Sequence, residues 1–201
     1  MSANRRWDRT SSPEERVGKI PRAQRPKSKA QGRAEALGRK AAKSPDDVGA
    51  LYAWFDAMVE EEGAQNALRK LWQFARATHA SAPWMALGYA AFGVGRSDLG
   101  VRAFRQARRH GAGEPAIYGL SVGLTVSGKP REAIQLLERE RKKAPLGGRL
   151  ATASANAYLA VGAHTRAAKA LEGLTPREAS EWKDMLDSAK ARVAQARARA
   201  K

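Results

Sequence analysis

Three histidines, one run of acids and one short glycine cluster are the places where this sequence could do chemistry. His79, His110 and His164 stand singly, and none has a carboxylate at metal-ligand spacing, whereas a zinc site needs three or four such ligands. Two of them follow predicted helices, where a cation suits the negative end of the dipole. Glu60-Glu61-Glu62 offers carboxylates to a cation. A run at a helix end with no further ligand reads instead as a solvated face. Gly93-Val94-Gly95 is a fragment of a phosphate-loop pattern, but position 98 is aspartate and no predicted strand precedes it, so a turn accounts for it better. Cysteine is absent, which removes thiolate nucleophiles, thiolate metal sites and disulfides. The expectation is a protein that is not an enzyme and carries no metal and no cofactor.

What remains is charge and packing. The formal net charge is +17, and residues 1–43 alone hold 13 basic and 4 acidic side chains. A cationic segment attracts anionic partners over long range and in a salt-sensitive way, or it simply solubilises. Within it, Pro21 and Pro26 interrupt any helix and apolar residues follow no period, so residues 1–43 read as a mostly disordered tail. Short helices are conceivable at Ser12-Pro13-Glu14-Glu15 and over 33–43, neither with an apolar stripe broad enough to dock. No apolar run approaches the ~20 residues that span a bilayer, and the N-terminus lacks the apolar stretch of a secretory signal. That predicts a cytoplasmic protein without membrane insertion.

Two strong helix starts bracket the interior. Ser44-Pro45-Asp46-Asp47 offers a cap, a first-turn proline and acids for the dipole, and Thr175-Pro176-Arg177-Glu178 is a capping box. Between them Gly63, Gly95, Gly128 and Gly162 recur at intervals of 32, 33 and 34 residues. Five residues after each glycine stands Leu68, Gly100, Ala133 or Ala167, and nine after stands Trp72, Phe104, Leu137 or Leu171. A small or apolar residue followed four positions later by a large one marks one helical face, and a period near 34 marks a helix–turn–helix array.

Trp84-x-x-Leu87-Gly88 followed by Gly100-x-x-x-Phe104 resembles the tetratricopeptide repeat (TPR), with Ala91 where that family prefers tyrosine. Leu120, Leu124, Gly128, Ala133, Leu137 and Pro145 mark a third unit, and Tyr158, Gly162, Ala167 and Leu171 a fourth. Phe55, Gly63, Leu68 and Trp72 mark a divergent first. The resemblance covers residues 48–175 and implies an all-α, right-handed superhelical solenoid of antiparallel helix pairs, with units near 49–80, 81–113, 114–147 and 148–175. Residues 176–201 then supply a capping helix, with Trp182, Met185, Leu186, Ala189 and Val193 on one face and a frayed basic end.

In the family, the first helix of each unit lines a concave groove. Carried over, those positions are Trp54, Ala57, Glu60 and Glu61; Met85, Tyr89 and Phe92; Tyr118, Val122 and Thr125; and Arg149, Thr152, Asn156 and Leu159. Such a groove suits an amphipathic helix or an extended apolar peptide, unless its residues pack against neighbouring helices or lie under the N-terminal segment. The repeat register also aligns Arg76, Arg108 and Arg141, joined by Arg109, Lys142 and Lys143, into a basic stripe near the ends of the second helices. The stripe either complements helix dipoles or meets a phosphate backbone. The leading expectation is a protein–protein adaptor holding a protein or peptide, with the tail as auxiliary anchor. The alternative is RNA or ribosome binding through tail and stripe. Self-association through Trp54 and Trp72 is a third reading.

Overall fold

A computed structural model describes residues 29–199 except 173 and 182, and the Ser12-Pro13 helix start lies outside them. Among the described residues eleven helices follow one another: α1 (Lys29–Lys43), α2 (Val48–Glu62), α3 (Ala64–Ala77), α4 (Ala82–Gly93), α5 (Ser97–Arg109), α6 (Gly113–Val126), α7 (Pro130–Arg141), α8 (Gly148–Ala160), α9 (His164–Ala170), α10 (Pro176–Glu181) and α11 (Lys183–Arg199). There is no strand among the described residues. Each helix packs on its sequence neighbour, save α9 and α10, and α2, α4, α6 and α8 touch one another in order. That pattern is a solenoid of helix pairs: α2–α3, α4–α5, α6–α7 and α8–α9.

The four recurring glycines close the first helices as their spacing predicts. Gly63, Gly95, Gly128 and Gly162 have φ between 72° and 82°, a region that a Cβ disfavours. Elsewhere small residues let helices meet. A methyl group added at Gly88 or Gly119 would lie 2.7 or 2.5 Å from the Phe104 ring, and Gly100 and Gly123 stand as tightly against Phe92. Two phenylalanines are thus each gripped by two glycines across α4, α5 and α6. Trp84, Leu87, Ala91, Phe104, Ala133, Leu137, Tyr158, Ala167 and Leu171 are buried.

The first unit departs from the register. Trp72 is 36% exposed, while Leu71 and Ala75 are fully buried. The cause is the turn. A single residue, Gly63, separates α2 from α3, whereas three residues separate α4 from α5, α6 from α7 and α8 from α9. Helix α3 starts one residue sooner after its glycine, and one residue is about 100° of helix rotation, so the core side falls on Leu71.

The N-terminal expectation also needs correction. Lys29–Lys43 is not a loose tail; it forms α1, antiparallel to α2, with Ala34 and Ala41 buried and Leu37 packed against the core. Its stripe of small residues at 34, 38 and 41 carries little hydrophobicity, but it fits closely: a Cβ at Gly38 would sit 2.9 Å from Trp54 Nε1. Since α1 runs to Lys43, Ser44 belongs to its end, where its amide donates to the Lys40 carbonyl. The cap of α2 is therefore Asp47, whose side chain accepts from the Ala50 amide at 2.9 Å.

At the other end the capping box forms. The Thr175 amide donates to Glu178 Oε2 at 2.9 Å, and the Glu178 amide donates to Thr175 Oγ1 at 3.3 Å. The cap consists of two helices, α10 and α11, with α11 laid on α8 and α9 through buried Leu186, Ala189 and Val193. Trp182 and the Met185 side chain lie outside the described residues. Helix α11 continues to Arg199, beyond the expected start of fraying.

Candidate interaction surfaces

The face lined by α2, α4, α6 and α8 begins with aromatics. Tyr89 is 37% exposed, and its ring meets Phe104 edge-on at 4.9 Å. Burial raises the Tyr89 phenol above its ordinary value; Arg149 pulls it down and Tyr118 pushes it up by smaller amounts. The Arg149 guanidinium lies 5.4 Å above the Tyr118 ring, a cation–π distance. Tyr52 belongs to the same row. Its phenol is pushed up to about 12, first by burial and then by Tyr89. Aligned on the glycines, Tyr52 falls at the place of Trp84 and reads as core. The one-residue difference between units turns it outward instead, and the short Gly63 turn was the signal for that.

Further along, Val122, Asn156 and Leu159 come together with Thr125, Val126, Ala153 and Ala160 around a cleft of ≈ 510 Å³. Arg192 and Ala196 of α11 complete its wall, and the Arg192 guanidinium donates to Asn156 Oδ1 at 2.6 Å. The repeat pattern could not reveal these two, because they belong to the cap. The cleft is predominantly carbon-lined, and Val126 at its rim is 71% exposed.

Other candidates are placed elsewhere. Trp54 lies under α1 against Gly38 and stacks edge-on with Phe74 at 5.2 Å. Phe92 is wedged between Gly100 and Gly123, so its ring is spent on packing. Met85 bridges two parts of the core. Ala57 and Thr152 are buried, Thr152 donating to the Gly148 carbonyl at 2.7 Å. Glu60 pairs with Arg33 at 2.8 Å.

The basic stripe lies near the ends of α3, α5 and α7, and three of its six cations are compensated by acids. Arg108 and Lys143 both bond to Glu140, at 2.7 and 3.0 Å, and Arg141 bonds to Glu138 at 2.5 Å. Glu138 also accepts from the Tyr158 hydroxyl at 2.6 Å. Burial alone would raise its carboxyl, but the bonds from Tyr158 and Arg141 lower it overall. Arg76 lies 4.7 Å over the Trp72 ring. Arg109 and Lys142 form no ion pair among the described residues. His110 stacks on Trp84 at 6.3 Å and approaches His79 at 6.5 Å. No group of three metal-ligating side chains occurs among the described residues, and none of the helices described is long and apolar enough to cross a membrane.

Helix pairs stacked in one row, glycine-closed and carrying a lid helix, define a tetratricopeptide-like solenoid. Among solved structures the chain is similar to MamA in two crystal structures. One matches with 18% identity over 77% of this chain and 83% of that chain at a TM-score of 0.52. The other has 17% identity, covers 83% of this chain and 99% of that one, and gives 0.51. A thermophilic TPR protein of Thermus thermophilus matches with 19% identity over 83% and 92% of the two chains at 0.52. No family model and no curated protein matches the sequence. At these identities the likeness is one of fold.

Proposed function

We propose that the chain is a protein–protein interaction scaffold that seats an amphipathic helix or apolar peptide against its first helices. The observation that carries this reading is the cleft between α6, α8 and α11, where Val122, Val126 and Leu159 present carbon to solvent. An amphipathic helix lays apolar anchors into such a groove, and each well-buried aliphatic anchor contributes roughly 1.5–3 kcal/mol. Tyr89, Tyr118 and Arg149 extend the seat with polar tips that fix orientation. The test is a pull-down with mass spectrometry, with and without nuclease, comparing wild type with Val126→Glu. A discrete protein lost from the variant, with far-UV circular dichroism unchanged, supports the reading. Identical protein sets from both contradict it.

The competing account is electrostatic binding to RNA or the ribosome. It draws on the eight basic and three acidic side chains of residues 1–28. Removing those residues and raising salt then both weaken nucleic-acid retention steeply.

A further inference from the structure

The gap between the second helices α5 and α7 has a chemistry of its own. Arg105, Arg108 and Arg109 form one wall of a cleft of ≈ 480 Å³ and Arg139 stands on the other. Leu120, Leu124 and Leu136 form its floor. Two of the four guanidiniums are compensated: Arg105 by Glu132 at 3.2 Å and Arg108 by Glu140 at 2.7 Å. Arg109 and Arg139 have no carboxylate within ion-pair distance among the described residues. Like charges gathered at a half-apolar cleft repel one another, and an entering anion relieves that repulsion. The next gap along the row repeats the theme, with Arg141, Lys142, Lys143 and Lys169 beside Leu146.

We infer that the α5–α7 cleft is a docking site for an acidic segment of a protein partner, with leucine-like side chains entering between carboxylates. Guanidinium is planar and weakly hydrated, and it grips carboxylate in a bidentate fork. The leucine floor rewards carbon placed between those carboxylates. A phosphodiester backbone fits less well. Glu132 stands on the cleft's wall and would repel a uniform polyanion, and no aromatic side chain lines the cleft to stack a base. This surface belongs to the second helices, so it is separate from the cleft at Val126 and does not depend on the function assigned there.

The probe is a fluorescent peptide of about four helical turns with leucine on one face and glutamate flanking it. Its anisotropy is followed on the full chain alongside two comparisons: the same peptide with serine for leucine, and an oligouridylate. The site predicts that Arg109→Glu with Arg139→Glu weakens the acidic peptide by about tenfold or more, about 1.4 kcal/mol. Arg109→Gln with Arg139→Gln should weaken it by less, and Val126→Glu should leave it unchanged. Far-UV circular dichroism checks that each variant stays helical. Unchanged affinity in the charge-reversed variant overturns the proposal. So does a serine peptide that binds as well as the leucine one, or an oligouridylate that binds more tightly and loses affinity with the same variants.

Discussion

The middle of the row and its N-terminal end solve the same packing problem by different means. Between α4, α5 and α6 the helices close on two phenylalanines, each held by a pair of glycines, so ring meets backbone with no slack. Around α1, α2 and α3 the space is filled by larger side chains, Trp54 against Phe74 edge-on, with α1 added as a cover whose ion pair to α2, Arg33–Glu60, is exposed. A middle unit has neighbours on both sides to fix its spacing. The end unit has one, and an extra helix stands in for the other. Interior repeats therefore tolerate almost no change in volume, while the end absorbs one.

Phe104→Ala should have the largest effect, because the ring is fully buried and its loss leaves a cavity; such truncations cost about 3–5 kcal/mol. Chemical denaturation checks this, and a loss below about 1 kcal/mol would make the glycine grip unimportant. Gly119→Ala comes next. Its methyl group meets the same ring at 2.5 Å, and overpacking of this kind costs roughly 1–3 kcal/mol. Gly38→Ala at the N-terminal end meets the edge of the Trp54 indole at 2.9 Å, and Trp54 is only partly buried where Phe104 is fully so, so its cost should be smaller than that of Gly119→Ala. Equal losses would erase the contrast between the two regions.

The smallest effect is a pH dependence. The Tyr52 phenol titrates at about 12 when folded, against 10.0 ordinarily. Its contribution to stability is whole below pH 10 and fades as pH rises through 10 to 12, because the unfolded chain ionises first. Phenolate absorbance should show tyrosines ionising late in the wild type, and Tyr52→Phe should remove the latest of these components. An unchanged titration would place Tyr52 in open solvent.

The row itself was legible in the sequence because glycine is needed wherever φ turns positive, so four turns announced themselves at Gly63, Gly95, Gly128 and Gly162. The first unit's register was not, since one residue fewer after Gly63 rotates α3 and exchanges Trp72 for Leu71. Helix α1 was hidden by its own means of docking: Ala34, Gly38 and Ala41 fit α2 by being small, and small residues leave a faint apolar signal. Of the surface at the first helices, Val122, Asn156 and Leu159 came from the repeat register. Arg192 could not, since its place depends on how α11 lies across α8. Phe92 occupies a groove position in sequence, but the glycines opposite draw its ring inward. The basic stripe is a row of six cations in sequence, of which Arg108, Arg141 and Lys143 form ion pairs in space: Arg141 and Lys143 meet Glu138 and Glu140 within one helical turn, and Arg108 reaches Glu140 across from the neighbouring second helix.

The central claim is that the cleft at α6, α8 and α11 faces a protein partner, and a photo-crosslinking residue placed at Val126 tests it most directly. The control is the same residue at Val48, which is exposed at the far end of the row. Irradiation in cells should give one discrete protein adduct from position 126 that is absent from position 48. No adduct at 126, or the same ladder from both positions, would contradict it.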